Sequence, residues 1–182
     1  MSDSKQLLTP KFLTETMART AIIATFNTVF GVGSLFSLQS SLKPKREECH
    51  VVILVPGMQD DLATGYPDWP NYPITPILLY EESRGDPTKF EARFDEIARC
   101  KALQLWTDRN DGRTDTQPHL LFKGDTPYWG GVKRDGIVVA CSGVQPWIDK
   151  LIAAMVADIL IALAYTAWRA SDDKTQEFDF LT

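Results

Sequence analysis

The sequence predicts an α+β domain in which an antiparallel sheet carries helices on one face. Three observations lead there. Patterned segments follow in the order helix, strand, strand, helix, strand, strand, helix. The last two strands are joined by Arg134-Asp135-Gly136, a hairpin signal because Asp-Gly readily takes positive φ. A long Ala-rich apolar run, Pro146 to Ala170, follows the second of these strands and reads as a buried helix.

The first helix is expected from Pro10 to about Phe30, with Thr9 as N-cap and Pro10 at the first position. Leu13, Met17, Ala21 and Ala24 form one stripe, and Ile22, Phe26 and Phe30 a second. Gly31 and Gly33 end it. His50-Val-Val-Ile-Leu-Val-Pro56 is β-branched and apolar at successive positions, a strand buried on both faces. Met58 to Pro76 is dense in proline and reads as a long irregular loop carrying Tyr66, Trp69 and Tyr72, a binding lip or an oligomer contact. Ile77 to Glu82 resumes as a strand. Asp86-Pro87 reads as the start of the second helix, whose apolar face holds Phe90, Phe94, Ile97, Ala98, Ala102 and Leu105. Residues 1–48 are thus an N-terminal helix with an apolar extension, 49–170 the main domain, and 171–182 an acidic, disordered tail.

Composition narrows the function classes. A net charge of -5 lacks the basic footprint of a nucleic-acid binder. Three widely spaced cysteines form no disulfide framework, which favours a reducing, cytoplasmic setting. The uncharged stretch Thr20–Leu42 is diluted by Thr, Asn, Ser and Gly, and Asp158 interrupts the last helix, so neither is read as a membrane span. The two histidines, His50 and His119, exclude a His-rich metal site within one chain.

Several residues invite chemistry, and each has a structural reading beside it. Gly130-Gly131 admits a ligand to the backbone or marks a tightly packed strand start; it lacks the spacing of a phosphate loop. Cys141-Ser142-Gly143 sits at a strand-to-helix corner, but no base is identifiable, and Cys141 reads as a small buried hydrophobe. Ser142 or Gln145 is expected to satisfy amides at the start of the last helix, and Asp149 suits its dipole. Asp158 lies among Leu151, Ala154, Ala162 and Tyr165 and needs a partner: Lys101, Arg99 or a neighbouring chain.

Cys100-Lys101-Ala102, Gly130-Gly131, Asp135-Gly136, Ser142-Gly143 and Asp149 occur in an order that resembles the haem-degrading or haem-binding (GlcG-like) domain family. The resemblance runs from Phe90 to Ala167, more loosely over His50–Glu82, and departs at Met58–Pro76 and at the loop before Gly130. It implies a profilin-like or PAS-like sandwich, a homo-oligomer, and a small-molecule ligand, haem or a related tetrapyrrole, that is bound or degraded. On that reading His119 is the first candidate iron ligand and His50 the second, with Met58 a weaker axial ligand and Tyr128 and Trp129 as an aromatic platform. Gly130, Gly131 and Lys101 then belong to the ligand site, although Lys101 also reads as a snorkelling side chain. The alternative is a structural or regulatory scaffold that keeps the fold without the ligand.

Overall fold

The computed structural model describes residues 6–34, 36–37, 43–60, 74–110 and 117–175. In chain order the elements are β1 (Gln6–Leu8), α1 (Glu15–Phe30), β2 (Cys49–Asp60), β3 (Thr75–Arg84), α2 (Phe94–Trp106), β4 (Gly131–Arg134), β5 (Ile137–Ser142) and α3 (Pro146–Ala170). The fold is α+β. An antiparallel sheet runs β3-β2-β5-β4, and short β1 pairs with the far end of β2, Leu8 opposite Met58.

The helices do not share one face. Cys49, Val51, Ile53 and Val55 of β2 join Ile137, Val139 and Cys141 of β5 in a core with α1 and α3. Val52, Leu54, Val138 and Ala140 point the other way and pack on Ala98, Ala102 and Leu105 of α2. The cause lies in the strands: all of β5 is buried, so neither face tolerates water and both need a helical cover.

Pro146 starts α3 as expected, but the starts of α1 and α2 differ from expectation. Pro10 only makes a turn, accepting from the Leu13 N–H; Thr14 is the true N-cap, its Oγ1 accepting from the Met17 amide at 3.2 Å. Asp86-Pro87 opens a 3-10 turn, Pro87–Lys89, and α2 begins later, at Phe94. The strand pair β2–β3 also extends into the expected loop, with Pro56 opposite Pro76. There β2 has run past its pairing with β5, which ends at Leu54, so a residue without an N–H costs no ladder bond on that edge. Tyr66, Trp69 and Tyr72 lie outside the described residues. The β4–β5 turn is as expected, with Asp135 at φ 47 and Gly136 at φ 81.

The outward side of α3 keeps Trp147 and Tyr165 exposed, at 63% and 64%. By length and composition alone α3 is apolar enough to cross a membrane; here its inner side, from Ile148 to Leu160, is buried in the core. After α3 a 3-10 turn, Asp172–Thr175, folds back so that Asp173 meets Lys11 at 2.7 Å.

Candidate functional site

Where β5 turns into α3, a cleft of about 370 Å³ opens between that corner and α2. Ser142, Gly143 and Asp149 line it from the corner, Phe94, Ile97 and Lys101 from α2, and Arg46 and Tyr128 from neighbouring loops. Such a volume suits a small ligand.

Lys101 is its centre. The side chain is almost completely buried, and its Nζ donates to the Cys141 carbonyl at 2.8 Å and to Asp149 Oδ2 at 3.3 Å. Asp149 Oδ1 in turn accepts from the Val144 N–H at 3.1 Å, closing the start of α3. The pair therefore joins α2, β5 and α3. Burial pushes the Asp149 carboxyl above its ordinary range, and the Lys101 charge and the Val144 amide pull it partly back. Burial, then the neighbouring Cys49 and Asp149, drive the Cys141 thiol far above its ordinary value, which leaves it without thiolate character.

Gly130, just before β4, makes room for this arrangement. A Cβ on Gly130, at φ 129, would stand 2.6 Å from the Asp149 Cβ and 3.2 Å from Lys101 Nζ. One on Gly131 would stand 2.5 Å from the Leu105 Cδ1, so this position is tight packing against α2.

The other expected site residues are distributed differently. Tyr128 lines the cleft; Trp129 is half-buried and does not. His119 is exposed on the 3-10 turn Pro118–Leu120 and does not line the cleft. Nor does His50, which is buried on β2 with both ring nitrogens occupied, Nδ1 by Ser83 Oγ at 2.8 Å and Nε2 by Glu81 Oε2 at 3.4 Å. Among the described residues no group of three or more His, Cys, Asp or Glu side chains is placed to hold a metal. Asp158 is exposed and pairs with Arg134, not with Lys101 or Arg99. Gln145 occupies the N-cap of α3 without a side-chain bond, and Asp149 supplies the acceptor instead.

Sequence reasoning missed the Lys101–Asp149 pair, the place of Arg46 at the cleft, and the ring of groups round His50. Arg46 bonds the Gly143 carbonyl at 3.3 Å and Glu91 at 2.9 Å. Its one signal was position, a cation just before a strand whose neighbour ends in Ser142-Gly143. Comparison of the chain with family models, curated proteins and solved structures finds no match.

Proposed function

We propose that this protein is a small-molecule-binding module whose ligand occupies the Lys101 cleft and carries a carboxylate or carbonyl oxygen on a planar or apolar body. One observation carries the reading: the buried Lys101 ammonium lines the cleft and spends two of its three donors on Cys141 and Asp149. A ligand oxygen is the natural acceptor for the third. Arg46 offers a second cation at the rim, and Phe94, Ile97 and Tyr128 offer apolar surface to a flat body.

A tetrapyrrole falls within this class through its carboxylates and ring, and the resemblance to the haem-degrading family makes haem the first ligand to test. Histidine ligation of its iron does not fit: His50 is enclosed by its own partners, and His119 stands away from the cleft. No iron chemistry is assigned to the chain. The same reading includes a profilin-like or PAS-like sandwich and self-association through the exposed Trp147 and Tyr165 side of α3.

The scaffold alternative rests on the same buried pair, read as a clamp between α2 and α3. Titration with haem and with metal-free protoporphyrin, followed by the Soret band and by tryptophan fluorescence, separates the readings. Binding at micromolar concentrations that Arg46→Glu and Tyr128→Ala each weaken about tenfold, ~1.4 kcal/mol, supports the cleft. An unmoved Soret band and unquenched fluorescence with both compounds would remove tetrapyrroles from the proposal, and the same outcome with a panel of aromatic carboxylates would leave the scaffold.

A further inference from the structure

His50, Ser83, Glu81 and Arg99 form a chain of polar groups reaching from β2 to the edge strand β3, and none of the four lines the cleft, although His50 pairs with the cleft residue Ser142. His50 stands directly opposite Ser83 in the β2–β3 register, and Glu81 follows two residues earlier on the same side of β3. Arg99 grips Glu81 with two bonds, Nε to Oε2 at 2.8 Å and Nη2 to Oε1 at 2.7 Å, and is itself steadied by Asp95 at 3.0 Å. That fork keeps the Glu81 carboxyl ionised, below its ordinary range.

The tautomer of His50 follows. An ionised carboxylate only accepts, so Nε2 carries the proton toward Glu81 and Nδ1 is left as an acceptor. The group it faces is the Ser83 hydroxyl, which donates to it at 2.8 Å. Nucleophile, base and orienting carboxylate are thus in sequence, the logic of an activated serine with the two ring nitrogens in exchanged roles.

We propose that Ser83 is an activated nucleophile, with His50 as its base and Glu81 as a positioning residue, that accepts acyl groups from small uncharged esters. Ser83 is half-buried, whereas His50 is enclosed. Arg99 is neutralised by Glu81 and Asp95, so it offers no net charge to draw an anionic substrate. Among the described residues β3 pairs only with β2, so alternate N–H groups on its open edge are the donors offered to a developing oxyanion.

The steps balance. Ser83 Oγ bonds to the ester carbonyl carbon as its proton passes to His50 Nδ1. The carbon–oxygen bond to the alcohol breaks, and the departing oxygen takes that proton. Water then attacks the acyl-serine, giving its proton to Nδ1; the serine oxygen leaves and recovers it. The sum is ester plus water to acid plus alcohol.

The test uses a fluorophosphonate probe on the folded wild-type chain, with the adduct mapped by peptide mass. The expected result is one adduct, on Ser83, absent in Ser83→Ala. Its rate should rise with pH through an inflection below 6.5, because burial lowers the His50 pKa against the opposing pull of Glu81, with Arg99 and Asp95 of α2 also facing the ring. Glu81→Gln should slow labelling at least tenfold, and Glu81→Asp should recover part of the rate. No adduct on Ser83, or an adduct whose rate ignores both pH and Glu81, overturns the proposal. Neither outcome bears on the cleft ligand.

Discussion

Replacing Lys101 by Met tests the buried pair at the centre of the cleft. The two side chains are 2% and 5% exposed, so the removed ammonium leaves a carboxylate inside the protein with only the Val144 amide and the weak Cys141 thiol donor. Losing one partner of such a pair typically costs ~3–5 kcal/mol. Asp149 escapes part of this by taking up a proton, to which burial already inclines it, so the lower end, about 3 kcal/mol, is expected near neutral pH. For a chain of 182 residues that is a fall in Tm of about 6–12 °C. The sign with pH follows from the raised carboxyl: the folded state holds more protons than the unfolded one above the ordinary 3.8, so stability drops as pH rises from there through the folded value. The loss should therefore be smaller at pH 4 than at pH 7. Lys101→Met/Asp149→Asn should recover at least half of it, since Asn keeps an acceptor for Val144 and buries no charge. Thermal or urea unfolding of the three proteins at the two pH values is the assay. A Tm drop below about 2 °C, or a double variant no better than the single one, would refute the buried pair.

Gly130→Ala should cost more than the ~1–3 kcal/mol of an unfavourable φ alone, because the new methyl also meets the Asp149 Cβ at 2.6 Å; unfolding of the purified variant measures it. The lowered His50 pKa means that the unfolded state binds more protons just below pH 6.5, so stability should fall as pH drops from 6.5 through the folded value, and His50→Gln should flatten that part of a Tm-against-pH curve. Arg134→Ala and Asp158→Ala should each change stability by under about 1 kcal/mol, since their ion pair is largely exposed.

The sheet and the last helix were legible because their signals are local. Val51–Val55 and Ile137–Cys141 are apolar without interruption and mostly β-branched or small, the Asp135-Gly136 turn carries its own backbone preference, and Pro146–Ala170 has the predicted bounds. The same strands also implied two covered faces, since a strand apolar at every position has no wet side; the one-faced arrangement contradicted that signal and was wrong. Proline misled twice, because it fits other turns as well as the first position of an α-helix: Pro10 begins a simple turn and Pro87 a 3-10 turn. The Lys101–Asp149 pair spans 48 residues, and the His50–Ser83 contact 33, so neither leaves a spacing signature. Both depend on register, which is decided when β2 selects its partners.

Both polar constellations have one physical origin. The α2 side of the sheet has an apolar middle, Val52, Leu54, Val138 and Ala140, matched by Ala98, Ala102 and Leu105 on α2. Towards the start of β2 that row gives way to His50, with Ser83 opposite it on one neighbour and Ser142 on the other. Polar groups there need partners when water is excluded, and the adjoining turns of α2 supply Arg99 to Glu81 and Lys101 to Asp149. These cations stand two residues apart and so point to different sides of the helix, Arg99 towards the β3 edge and Lys101 towards the corner of β5 and α3. A short helix packed on the apolar middle of a sheet thus creates two adjoining polar sites at one end of it, a cleft with a spare ammonium donor and a serine facing a tautomerically fixed histidine.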